Sequence, residues 1–139
     1  MMNGWQKQDL LKWRFTLPNE LFSLKLNSAE ISIYTYLLYI EDRKTHQCWP
    51  SYKTIGKAVE LSPKTVKKYV AELLDKGLIS TENTTVTTKK GVKRNGSLRY
   101  TIRPIQEAVE LYHQRQLRQL ELDTARWKAQ RGEGEKKAG

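Results

Sequence analysis

One stretch, residues 51–76, leaves the chain the least freedom. Ser62 followed by Pro63 is a strong helix start: the serine oxygen accepts an unpaired N–H, and proline takes the first helical position, where no donor is needed. Gly77 is the matching stop. Within this helix Val66, Tyr69, Val70 and Leu73 recur at three and four residues and form an inward face. A shorter helix precedes it. That helix opens at Ser51 after Pro50, sets Ile55 and Val59 four apart on one side, and leads to Leu61, which plugs the turn between the two helices.

The charges of the second helix run against its own dipole. Lys64, Lys67 and Lys68 crowd its positive end, while Glu72 and Asp75 lie toward its negative end. Each placement costs a few tenths of a kcal/mol (~0.3 or more) in an isolated helix. Lys64 and Lys68, four apart, add a like-charge penalty. A polyanion lying across the front of the helix would offset both.

These residues carry a resemblance. The segment IGKAVELSPKTVKKYVAELLDKGLI, from Ile55, resembles the helix-turn-helix of the winged-helix family, a module of small bacterial regulators and of plasmid and phage replication proteins. In that pattern Ile55, Val59, Leu61, Val66 and Tyr69 stand at buried positions, and residues 62–68 form the front of the recognition helix. Two positions depart from it: Gly56 stands where alanine is frequent, and Glu60 where the turn frequently has glycine. The resemblance covers residues 12–103, about two thirds of the chain. It implies an α+β, mainly helical fold, a winged helix-turn-helix with a C-terminal helical extension.

The distribution of charge supports a nucleic-acid partner. Between Arg43 and Arg103 fourteen Lys and Arg face Glu60, Glu72, Asp75 and Glu82, which accounts for the whole net charge of +10. The flanks nearly cancel. Basic excess confined to the helix-turn-helix and the segment after it is the footprint of nucleic-acid binding. No long apolar run spans a membrane and no secretory h-region stands at the start, so the expectation is a soluble cytoplasmic chain. One cysteine fits a reducing compartment.

The remaining elements follow in order. Residues 1–11 say little and form an N-terminal extension. Trp13, Phe15 and Leu17 alternate with Lys12, Arg14 and Thr16 in a half-buried extended segment ended by Pro18, and one helical turn follows at residues 19–24. Asn27 with Glu30 three residues on is a capping box opening a helix over residues 28–42, apolar on most of its circumference and therefore central. Cys48 and Trp49 are expected as the short strand before the second helix. His46 and Cys48 stand next to no other ligands, so no metal site and no cofactor are expected.

After Gly77 the period changes to two. Residues 78–88 are rich in threonine, valine and isoleucine; Leu98, Tyr100 and Ile102 alternate with Arg99, Thr101 and Arg103. Asn95-Gly96 is a hairpin signal and Gly91 a second break, leaving the loop length open. Lys89, Lys90, Lys93 and Arg94 then sit at the tip of the ribbon that resembles the wing. Pro104 opens a last helix over residues 104–131. A stripe of Val109, His113, Leu117, Leu120, Thr124 and Trp127 lets it pack on its own core or, the preferred reading, pair with a second copy. Residues 132–139 are expected to be a disordered tail.

For double-stranded DNA, the expected base-reading residues are Lys64, Thr65 and Lys68. Ser62, Lys67, Ser51, Tyr52 and Lys53 are expected on phosphates, with the four wing cations on an adjacent minor groove or backbone. Catalysis is not expected: His46 and His113 are far apart, and no phosphate loop or carboxylate pair stands out. Either a transcriptional regulator or an accessory or initiator protein of plasmid, phage or transposon replication, transfer or partition fits these residues. RNA binding lacks an exposed aromatic platform.

Overall fold

The computed structural model describes residues 14–138 apart from 88 and 92, and only the backbone of residues 85, 86, 93–95 and 133–138. The expected N-terminal extension, residues 1–11, lies outside the described residues, as do Lys12 and Trp13. A 3-10 helix, Asn19–Leu24, buries Leu21 and Leu24. Then come α1 (Ser28–Ile40), β1 (Gln47–Cys48), α2 (Tyr52–Val59), α3 (Pro63–Asp75), β2 (Ile79–Thr87), β3 (Lys93–Ile102) and α4 (Ile105–Ala138).

The α1 helix starts as its capping box predicts. The Asn27 side chain accepts the Glu30 N–H at 2.8 Å, and the Asn27 N–H reaches the Glu30 carboxylate at 3.3 Å. The helix stops at Ile40, two residues before the expected end. Asp42 is the reason: its carboxylate accepts the N–H groups of Lys44 and Thr45 and holds a local turn that competes with another helical turn. Ile33, Tyr34, Leu37 and Leu38 are buried and form the centre of the core with Ile55, Val66, Val70, Leu73, Leu78 and Tyr100. Burial pushes the Tyr34 hydroxyl up to about 12, helped by the nearby Glu41 carboxylate.

The three strands form an antiparallel sheet in the order β1-β3-β2. Here β1 is Gln47–Cys48, opposite Thr101 and Tyr100, in place of the expected Cys48 and Trp49. Pro50 has no N–H to give a ladder, so pairing stops at Cys48, and Trp49 stands half exposed. Residues 14–17 form no regular element, although Phe15 packs against the core.

The hairpin turns around Gly91, which takes φ +76°, a backbone region open to glycine at no steric cost. Asn95-Gly96 lies inside β3 instead. There the register passes from Asn83 opposite Leu98 to Thr85 opposite Asn95, so one residue of β2 faces two of β3. The Asn95-Gly96 signal thus adjoins a bulge that bends the ribbon, and the turn belongs to Gly91.

The α4 helix packs on the domain only through its first turns, with Ala108 buried and Val109, Leu111 and Tyr112 partly so. Gly77, at φ +79°, ends the approach of α3 to it: a Cβ there would touch Leu111 and Ala108. The helix runs on through Ala138, past the expected end at Arg131.

Candidate nucleic-acid interface

Two capped helices build the front of the domain. At α2 the Ser51 Oγ accepts the Thr54 N–H at 3.0 Å and lies 2.9 Å from the Thr54 hydroxyl. At α3 the Ser62 Oγ accepts the Thr65 N–H at 3.2 Å and donates to the Thr65 Oγ1 at 2.8 Å. Pro63 holds the first position of α3. Both helices therefore begin with their remaining N–H groups directed forward, where anions are favoured.

The turn between them inverts the two departures from the family pattern. Gly56 is buried against the chain as it returns: a Cβ there would stand 2.3 Å from the Leu61 carbonyl oxygen. Leu61 donates its N–H to the Gly56 carbonyl at 2.9 Å, and Glu60 turns the corner at φ 59°. A side chain is absent where the backbone comes close, and an L-residue carries the left-handed conformation.

On α3, Val66, Val70 and Leu73 are buried and Tyr69 is partly so, which is the inward face expected. Lys64, Lys67 and Lys68 are exposed on the other side, with Thr65 half-buried between them. Among the described residues none of the three lysines forms a salt bridge, and the Lys68 Nζ lies 5.3 Å from the centre of the Tyr69 ring. Asp75, at the other end of α3, is tied to Arg115 of α4 at 3.1 Å.

Around this helix, Ser51 and Lys53 are exposed at the start of α2. Tyr52 is partly buried against the core, so it offers less to a ligand than the other expected residues. Burial pushes the Tyr100 hydroxyl well above its ordinary range, with Tyr52 and Cys48 adding to the effect. Lys89 and Lys90 are exposed in the wing turn. Lys93 and Arg94 start β3 opposite Thr87 and Val86; their side chains lie outside the description.

Some charged residues in the basic region have partners that sequence patterns do not reveal. Lys76 is paired with Glu30, and Arg99 of β3 with Glu82 of β2. The cross-strand pair faces Glu82 to Arg99 in the ladder register, a signal that appears only once the register is known. Trp49, half exposed two residues before the α2 cap, is a further candidate contact, outside the short strand the sequence predicts for it. Among the described residues no group of His, Cys, Asp or Glu could hold a metal ion, and no helix is long and apolar enough to cross a membrane.

A helix-turn-helix whose second helix presents a basic front, followed by a two-stranded hairpin on a small antiparallel sheet, defines the winged helix-turn-helix class of DNA-binding proteins. Residues 24–79 match a family model described as a helix-turn-helix domain. Among solved structures the chain is similar to a possible transcriptional regulator from Methanosarcina mazei Go1, at 19% identity and a TM-score of 0.48 over 86% of this chain and 87% of that one. It is also similar to a zinc-responsive MarR family member, ZitR of Lactococcus lactis, at 15% identity and a TM-score of 0.44 over 86% and 73%. A third, a MarR family transcription regulator, is 14% identical with a TM-score of 0.43 over 75% and 60%. These likenesses are distant. No match was found among curated proteins.

Proposed function

We propose that the protein is a transcriptional regulator that binds duplex DNA as a homodimer, each protomer placing α3 in the major groove N-terminus first. That groove is about 12 Å wide and admits one helix. The observation that carries this reading is the exposed row of Lys64, Lys67 and Lys68 at the positive end of α3, without a carboxylate partner among the described residues. Lys64, Thr65 and Lys68 read base edges. Ser62 and Lys67 hold phosphates, together with Ser51, Tyr52 and Lys53 at the start of α2. Lys89, Lys90, Lys93 and Arg94 carry the wing to the flanking minor groove or backbone.

The dimer is assigned to α4, whose outer length leaves a row of large apolar side chains exposed. Two half-sites read together need a two-fold axis, and a shared helix supplies one. No catalytic step is assigned to any residue, and the working compartment is the cytoplasm. Selection of bound duplexes from a random pool tests the proposal. Enrichment of a two-fold symmetric site, found beside promoters, supports it; recovery of no preferred sequence overturns it, and enrichment of a replication or transfer origin instead identifies the mobile-element role.

A further inference from the structure

We propose that the outer part of α4 joins a second copy of this chain as a parallel, in-register coiled coil, an inference that rests on the dimer reading above and adds the direction of pairing. From His113 to Arg131 every described residue of α4 is exposed. Within that length Leu117, Leu120, Thr124 and Trp127 follow one another at three, four and three residues, the spacing of a two-stranded seam. Leu117, Leu120 and Trp127 are 58%, 62% and 56% exposed, so each has surface to bury.

The charges beside the seam choose the direction. With Leu117 and Thr124 at one set of seam positions and Leu120 and Trp127 at the other, Gln116, Glu121, Asp123 and Lys128 flank it. In a parallel pair the flanking residue of one helix meets the residue five places further along the other. Asp123 then faces Lys128 of the second copy, twice by symmetry, and Gln116 faces Glu121.

The antiparallel alignment that keeps all four seam residues stacks Leu117 on Trp127 and Leu120 on Thr124. It also brings Glu121 against Glu121 and Asp123 against Asp123, four carboxylates around the axis. Arg118 and Arg126 stand on the outer positions and are common to both arrangements. Arg131, next along the seam, stacks on its own Trp127 ring at 4.9 Å, which draws its charge aside from its counterpart. The parallel arrangement sets both winged domains at the same end of the pair, where both α3 helices can reach one duplex. Two heptads make a weak zipper, so pairing is concentration-dependent and strengthened by a duplex carrying two half-sites.

Cysteine cross-linking in the full chain tests the direction. The native Cys48 is buried and does not compete. Oxidised Leu117→Cys protein is expected to form a disulfide-linked dimer, because the two positions touch in register; in the antiparallel alignment they lie ten residues, about 15 Å, apart along the axis. A mixture of Leu117→Cys and Trp127→Cys proteins that cross-links only between the two variants overturns the parallel arrangement.

A charge exchange supplies a second readout by sedimentation. Asp123→Lys is expected to weaken self-association several-fold, and the double variant Asp123→Lys, Lys128→Asp to restore it. Stronger association of Asp123→Asn overturns the proposal, since removing the charge relieves an Asp123–Asp123 repulsion only in the antiparallel pair, whereas it loses the Asp123–Lys128 attraction in the parallel one. Unaltered protein that sediments as a monomer, free and on DNA, removes the dimer reading itself, and with it this inference.

Discussion

The Lys76 ammonium donates to the Glu30 carboxylate at 2.6 Å, joining the end of α3 to the start of α1 across 46 residues of sequence. The Glu30 side chain is 4% exposed and that of Lys76 28%. Glu30 also completes the α1 capping box, so one carboxylate ties a helix start to the helix that carries the reading surface. Lys76→Met leaves that carboxylate buried without its cation and is expected to cost about 3–5 kcal/mol. Chemical denaturation checks it. A Glu30→Gln, Lys76→Met double variant should recover much of the loss, and a double-mutant cycle without coupling would count against the pair.

The turn of the helix-turn-helix predicts opposite effects for two glycine exchanges. Gly56→Ala drives a Cβ into the Leu61 carbonyl and is expected to destabilise by about 1–3 kcal/mol, as overpacking does. Glu60→Gly relieves a left-handed residue and is expected to stabilise by up to about 1 kcal/mol after the entropy of glycine is deducted. Thermal unfolding of both variants reads the signs directly. Equal signs would contradict this account of the turn.

The two basic surfaces should separate in binding titrations. Alanine at Lys64 and Lys68 is expected to reduce discrimination between the selected duplex and others by about 1–3 kcal/mol per lost base contact. Alanine at Lys89 and Lys90 should weaken all duplexes alike. If about six to eight phosphates are neutralised per protomer, log K falls against log salt with a slope of roughly −5 to −7. A flat slope removes the electrostatic part of the proposal.

Burial pushes the Cys48 thiol from 9.0 up to about 11, with the Glu41 carboxylate adding to the effect. The folded state thus holds its proton where the unfolded chain loses it. The resulting contribution to stability is complete below about pH 9 and disappears as pH rises from there to about 11. Cys48→Ala should flatten that part of the stability profile. At neutral pH a thiol reagent should label Cys48 only as fast as the protein unfolds; rapid labelling of the native state would show an accessible thiolate.

Helix starts and inward faces were legible because their causes lie within a few residues. Asn27, Ser51 and Ser62 each accept an N–H three positions on, and Val66, Val70 and Leu73 share a side of α3 by helical period alone. The basic front of α3 was legible for the same reason: a buried face at known spacing leaves its lysines outside. The hairpin was read as two strands, but its turn was not decided, since Gly91 and Asn95-Gly96 are both valid breaks. Pairing of Thr85 with Asn95 settled which one turns.

Local chemistry therefore wrote the two capped helices, their turn and the exposed lysines into the chain, because caps, periodicity and proline restrictions act over four residues or fewer. Tertiary structure alone decided the Glu30–Lys76 and Glu82–Arg99 pairs, the bulge at Gly96-Ser97 and the exclusion of Trp49 from β1. Each of these depends on which distant backbone arrives alongside, and that is set by burying one common core around Tyr34, Ile55, Leu73 and Tyr100.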